Sequence, residues 1–218
     1  MSKRTADAIF AALVPTLDGI AASFGPTCEV VLHDYRTPKH SVIAVAGSVT
    51  GRRVGGAMSE IGLRTLRRAE AATNDVNYLT RTRDGRTVKS STLPLRDDDG
   101  SLIGALCINV DVSALQLAGD ILDGLLGRAP AATEAAAVTT FSDDFDDVVD
   151  AVVRLEEAGH GKPVAALTRG ERIELVARLR ERGLFEVRGA APRIAARLGI
   201  SRAGLYNDLA AARDEAAR

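Results

Sequence analysis

Apolar side chains at Ile9, Leu13, Leu17 and Ile20 recur at spacings of four, four and three, which is one face of a helix over residues 4–23. Pro15 falls inside that stretch and predicts a kink or a fresh helix start, and Gly25-Pro26 ends it. The period then changes to alternation. Cys28–Tyr35 and Ser41–Ala46 are short β-branched runs around the turn 37–40, which reads as two strands. A Gly-rich stretch (47–56) follows, and Ser59 is placed to cap a helix carrying Ile61, Leu63 and Leu66 towards Ala71. Three more strands are predicted at Val76–Arg83, Thr87–Arg96 and Ser101–Val112, joined by the Asp-Gly turns at 84–85 and 97–100. Consecutive hairpins imply an antiparallel sheet with helices on one face, so this block is α+β.

The last of these strands has two unlike faces. Leu106, Ile108, Val110 and Val112 share one, and Ala105, Cys107, Asn109 and Asp111 share the other. Polar groups in mid-strand either line a cavity or face water or another subunit.

Beyond the sheet the helical period returns. Leu115–Leu126 reads as a helix leaving it, and 129–140 is an Ala/Thr/Pro-rich connection expected to be mobile. Ser142 is a candidate cap for a helix with the stripe Phe145, Val148, Val149, Val152 and Leu155, closed by Gly159. That stripe must bury itself against the C-terminal segment or against the same helix of a second subunit. Thr168 and Glu171 have the spacing of a capping box, opening a helix through Ile173, Val176 and Leu179 to Gly183.

Residues 191–213 carry the most specific pattern. Ala195, Gly199 and Leu205 have the spacing of a helix-turn-helix. The small Ala195 lets two helices approach, Gly199 supplies a left-handed turn, and Ser201 caps the second helix. Ile194, Leu198, Leu205 and Leu209 are the expected contacts between the two. On that geometry Arg202, Ala203, Tyr206 and Asn207 lie on the outward, N-terminal part of a recognition helix. Arg202 suits guanine and Asn207 adenine; Ser201 and Arg193 suit phosphate, and Arg197 and Arg213 extend the basic surface.

Charge sharpens this reading. The 218 residues carry 28 basic and 29 acidic side chains, a net −1, which excludes a chain that is basic throughout. By segment the balance is +1 over 1–128, −6 over 129–162 and +4 over 163–218. The basic surplus falls on the helix-turn-helix.

Other chemistry is thin. No apolar run approaches the roughly 18 residues of a membrane span, and no cleavable leader is evident, so a cytoplasmic protein is expected. Two cysteines without a CxxC leave no basis for a disulfide framework or a zinc site, and no metal or cofactor is expected. Gly51, Gly55 and Gly56 do not make a phosphate loop. Arg52 and Arg53 beside them either hold an anion or sit on a mobile surface loop, the simpler reading. With three histidines, no catalytic dyad or triad can be argued from spacing, so no catalytic residue is assigned.

The segments CEVVLHD, SVTGRRVG, NYLT, VKSST and IGALCINVD resemble the YheO-like PAS domain. The run from Leu167 to Leu209 resembles the YheO-type helix-turn-helix. The resemblance covers nearly the whole chain. It implies a bacterial transcriptional regulator: a PAS-like five-stranded antiparallel sheet with helices at 1–127, an acidic linker helix at 128–162 and an all-α DNA-binding domain at 163–218. It also implies double-stranded operator DNA as partner, a homodimer, and a small effector. Because the family includes the D-arginine utilisation repressor, an amino-acid-like effector is one option. Carried over by motif, Glu29, His33, Asn77, Tyr78, Lys89, Ser90, Ser91, Cys107, Asn109 and Asp111 fall nearest a PAS cavity, although Asn77 and Asp111 equally suit strand ends. Gly204 departs from the Thr or Ser more usual before the Leu-Tyr pair. A small-molecule enzyme with a helical appendage, or a protein- or RNA-interaction module, are the competing readings.

Overall fold

The computed structural model describes residues 3–128, 137–138 and 141–216. Helix α1 (Lys3–Leu13) and helix α2 (Leu17–Phe24) are separated by a 3₁₀ turn, Val14–Thr16, with Pro15 inside it. Proline has no N–H to continue the ladder, so the predicted kink becomes a break. The run Ala6–Thr27 has the length and hydropathy of a membrane span, contrary to the expectation that no run approaches one. Yet the buried Ala6, Phe10, Leu17 and Ala21 lie on the sheet with Val30, Leu32 and Leu106.

The sheet holds β1 (Cys28–Asp34), β2 (Val42–Ala46), β3 (Asp75–Arg81), β4 (Thr87–Arg96) and β5 (Leu102–Asp111) in the order β2-β1-β5-β4-β3, all antiparallel. A two-residue strand, β6 (Ala137–Val138), adds to β3 in parallel. It comes from the stretch expected to be mobile, whose other residues, 129–136 and 139–140, lie outside the described ones.

Helices cover both faces, not one. Helices α1 and α2 pack against Cys28, Val30 and Leu32 of β1. Helix α3 (Glu60–Arg68), capped by Ser59, lies over the opposite face, where Gly62 lines a cavity with Tyr35, Tyr78 and Cys107. Helix α4 (Ser113–Leu125) leaves the sheet with no buried residue.

The C-terminal helices are α5 (Phe145–His160), α6 (Arg169–Glu181), α7 (Ala190–Arg197) and α8 (Arg202–Ala216). The cap of α5 is Asp144, whose carboxylate accepts from the Asp146 amide at 2.9 Å; Ser142 instead accepts from the Asp144 amide at 3.2 Å. The helix runs past Gly159 to Gly161, which takes the left-handed conformation at φ 68°. Its buried face is Phe145, Val148, Val149, Val152, Val153 and Glu156, while Leu155 points outward. That face packs in one cluster with Leu175, Leu179, Ile194 and Leu205. Of the two burial partners the stripe allowed, the chain's own C-terminal helices take it. The same cluster continues into Tyr35, Met58 and Leu63, so the two halves share a core.

Candidate functional site

Gly199 at φ 66° makes the turn between α7 and α8, and its amide donates to Ala196 at 3.1 Å while that of Ile200 donates to Ala195 at 3.0 Å. Ser201 caps α8 by accepting from the Gly204 amide at 3.0 Å. Ile194, Ala195, Leu198, Leu205 and Leu209 are buried between the helices as their spacing predicts. Burying one face of α8 fixes the other. Arg202, Ala203, Tyr206, Asn207 and Arg213 are all exposed, at spacings that share a helix face. Neither Arg202 nor Arg213 makes an ion pair among the described residues, so both guanidiniums are free to meet an anion.

The first-helix arginines are differently placed. Arg193 pairs with Asp146, and Arg197 pairs with Asp150 at 2.9 Å and Glu157 at 3.4 Å, so α5 supplies carboxylates to both. Beside α8, a groove of about 570 Å³ is lined by Arg180, Arg188, Arg213 and Tyr206. Arg180 and Arg188 were not singled out from sequence, because they lie on α6 and the connection after it.

The N-terminal cavity lies between the sheet and α3. Register aligns Glu29, Asn109, Ser90 and Tyr78 in one row across β1, β5, β4 and β3. Ser90 donates to Asn109 at 2.9 Å, Asn109 donates to Glu29 at 3.3 Å, and Glu29 accepts from the Thr50 amide at 2.8 Å. These buried polar groups are thereby satisfied, and they moor the Gly-rich loop to the sheet. His33 and Cys107 share the same face. Lys89 and Ser91 alternate to the other face, and Lys89 is exposed. Asn77 is exposed at a strand irregularity with φ 62°, and Asp111 accepts from the Ser113 amide at 2.9 Å at the start of α4. Six of the ten sequence-chosen positions therefore converge: Glu29, His33, Tyr78, Ser90, Cys107 and Asn109.

The cavity also takes in residues the sequence did not single out for it: Val31, Tyr35, Ile61, Thr92 and Phe141. Arg52 belongs to the wall as well. It is not on a surface loop but buried, and it donates to the Ser142 and Ala57 carbonyls with the Asp143 carboxylate 4.0 Å away. The remaining space is about 20 Å³, room for about one water.

A sheet of this order with a C-terminal helix-turn-helix fits the family matches. The family described as YheO-like PAS domain matches residues 4–127, and a second, described as HTH domain, matches residues 147–210. The chain belongs to the YheO-like PAS family. It is 31% identical to an uncharacterised protein of Haemophilus influenzae over 87% of this chain and 85% of that one. It is 30% identical to the uncharacterised protein YheO of Escherichia coli K12, over 87% of this chain and 79% of that one. It is also 30% identical to the transcriptional regulator DauR of Pseudomonas aeruginosa, over 88% of this chain and 89% of that one. Among solved structures, the phage VqmA–DPO complex matches at a TM-score of 0.37 and 12% identity, covering 97% of this chain and 90% of that one, a likeness too loose to inform the site.

As a YheO-like protein with a helix-turn-helix, the chain is a DNA-binding transcriptional regulator and not an enzyme. Burial sets the electrostatics of the cavity. Burial pushes the Cys107 thiol up to about 11, the opposite of what a nucleophilic cysteine needs. Burial, and secondarily the Arg52 charge, push His33 down to about 3, so its ring is neutral; its Nδ1 lies 2.9 Å from Ser41 Oγ. Burial likewise holds the Tyr35 and Tyr78 phenols protonated.

Proposed function

We propose that this YheO-like regulator is a homodimer that reads an operator with α8 and adjusts its occupancy through a small effector held in the N-terminal cavity. The observation that carries the DNA reading is the exposed face of α8, where Arg202, Ala203, Tyr206, Asn207 and Arg213 are presented by a capped helix whose other face is buried. Arg202 and Asn207 take the base-reading roles, guanine and adenine respectively. Ser201, Arg193 and Arg213 face phosphate, and Arg180 and Arg188 extend that basic rim along the groove. Arg193 and Arg197 must exchange their α5 carboxylates for phosphate as DNA arrives. A protein working on the chromosome in this way is cytoplasmic. Occupying an operator excludes other proteins from it, so we read the regulator as a repressor.

The dimer reading rests on α4. Leu115, Leu117, Ile121, Leu122 and Leu125 are each more than half exposed, a contiguous apolar patch of the kind that marks an association surface. Leu115 and Leu122 are seven residues apart, the repeat of a helix–helix seam. The occupant is a second copy: one chain carries one helix-turn-helix, and specific sites are read by two, one DNA turn apart. The stripe of α5, the other candidate, is already buried in its own chain.

The test is a gel-shift titration of the protein against duplex from its own promoter region, at low and moderate salt. Specific binding to a palindromic site that weakens steeply with salt is expected. No binding at low salt overturns the reading.

A further inference from the structure

The cavity and the approach to the C-terminal domain share residues. Phe141 lines the cavity, the next two residues hold Arg52, and Asp144 caps α5. The Ala57 amide, next to the cavity residues Ser59 and Ile61, donates to the Asp143 carbonyl at 2.9 Å. Segment 141–143 therefore closes the cavity and anchors α5 at once. Two groups in that cavity can turn to an anion. The Tyr35 hydroxyl is buried and makes no hydrogen bond among the described residues; Thr65 nearby donates its own proton to the Ile61 carbonyl at 3.0 Å. The Arg52 guanidinium is buried; its ion pair among the described residues is with Asp143, 4.0 Å away and partly exposed, and the charge of Glu29 reaches it more weakly. A buried arginine satisfied mainly by neutral carbonyls binds an anion more strongly, because a charge-assisted, two-pronged bond replaces neutral ones.

We propose that the cavity takes a small carboxylate, and that the carboxylate competes with the chain's own segment 141–143. It draws Arg52 from the Ser142 carbonyl, takes the Tyr35 hydroxyl as second donor, and occupies the space of the Phe141 ring. The contacts of segment 141–143 with the N-terminal domain are then lost together, and the root of α5 is loosened from the sensor face, with the shared core and the Arg182–Glu60 pair left as the remaining joint. This rests on the effector reading above and adds the ligand's chemical class and the route by which it acts. With Phe141 in place the cavity has room for about one water, so the docked form and the liganded form exclude each other. Ligand and docking then oppose each other by the ligand's differential affinity for the two forms.

The test uses the full chain with 3-phenylpropionate, a carboxylate carrying a ring like the one displaced, and 3-phenylpropionamide as its uncharged counterpart. Binding is followed by calorimetry, and amide exchange is followed at Ala57 and 141–144. The acid is expected to bind, to speed exchange at those amides at least tenfold, and to bind about tenfold more tightly to Phe141→Ala, whose plug is removed. The amide and Arg52→Gln are expected to show neither effect. Equal binding of acid and amide overturns the carboxylate assignment, as does failure of the acid to bind both the native protein and Phe141→Ala. Binding with unchanged exchange at Ala57 and 141–144 overturns the competition. In each of these cases the broader effector reading survives, because its own failure is different: binding and release without any change in operator affinity.

Discussion

Arg52 donates to the carbonyl of Ser142, 90 positions away in the chain. One guanidinium thus belongs both to the wall of the N-terminal cavity and to the root of the first helix of the DNA-binding half. Beside it the Ala57 amide donates to the Asp143 carbonyl at 2.9 Å, so side chain and backbone hold the same short segment.

Arg202→Ala is expected to lower discrimination between the operator and unrelated duplex by about 1–3 kcal/mol, with the fold unchanged, because the side chain is exposed and has no ion pair among the described residues. Arg213→Ala is expected to weaken both duplexes alike and to reduce the slope of log affinity against log salt by about 0.9, the signature of one lost phosphate contact. Competition gel shifts over a salt series separate the two. Equal loss on both duplexes for Arg202→Ala removes it from base reading.

Asp208→Asn is expected to destabilise the C-terminal helices. The Asp208 carboxylate is buried on α8 and meets Arg172 of α6 at 2.7 Å. Removing the charge leaves the arginine without its partner; because Arg172 is partly exposed, the loss is about 1–3 kcal/mol and not the full penalty of a dry pair. Urea unfolding measures it. Stability within error of the native protein would show that water replaces the pair.

Much of this was legible in sequence, and the boundary is a physical one. Gly199, Ser201 and Leu205 act on neighbours within a few residues, so their spacing carried the helix-turn-helix. The alternation of Leu106, Cys107, Ile108 and Asn109 correctly separated the two faces of β5. Arg52 was illegible because its burial is decided by Ser142 and Asp143, far along the chain, while its local context of glycines reads as loop. The acidic partners of Arg193 and Arg197 sit on another helix for the same reason. Leu155 was placed on the buried stripe of α5, but that position goes to Glu156, which Arg178 and Arg182 hold at 2.7 and 2.8 Å. A buried carboxylate with two arginines has no signature in hydropathy.

His33 predicts a pH dependence. Its folded pKa is depressed to about 3, against an ordinary value near 6.5, so below pH 6.5 the unfolded chain binds a proton that the native one refuses. Stability is therefore fully present above about 6.5 and falls as the pH drops towards 3, by up to roughly 1.4 kcal/mol per unit. His33→Gln is expected to flatten the dependence between pH 6.5 and 5, the window above the carboxylates. Parallel curves for the two proteins would place a charged imidazole in the native state.

The double variant Leu115→Glu, Leu122→Glu is expected to be monomeric by sedimentation while keeping its secondary structure, since neither side chain contributes to the core. Binding to a full palindrome should fall at least tenfold and binding to a half-site should not. A native protein that is already monomeric, or a variant that is still dimeric, removes α4 as the seam.

Gly183→Ala addresses the joint between the halves. Gly183 ends α6 at φ 78°, and a Cβ there would lie 2.3 Å from the Leu63 carbonyl oxygen of α3. Alanine costs about 1–2 kcal/mol in the left-handed conformation, and the carbonyl it meets is backbone, which cannot rotate aside. The clash falls between the domains, where Arg182 pairs with Glu60 and Arg67 with Glu186 at 3.5 Å. The expected result is loss of docking with both halves still folded: faster amide exchange along α3 and around 184–186, more proteolysis at 141–145, and retained helix content. If docking restrains the helix-turn-helix, operator affinity rises in the same variant without any effector. Unchanged exchange along α3 would show that the interface accommodates the methyl group. Exchange that rises throughout the C-terminal helices would mean that the joint is part of their own stability.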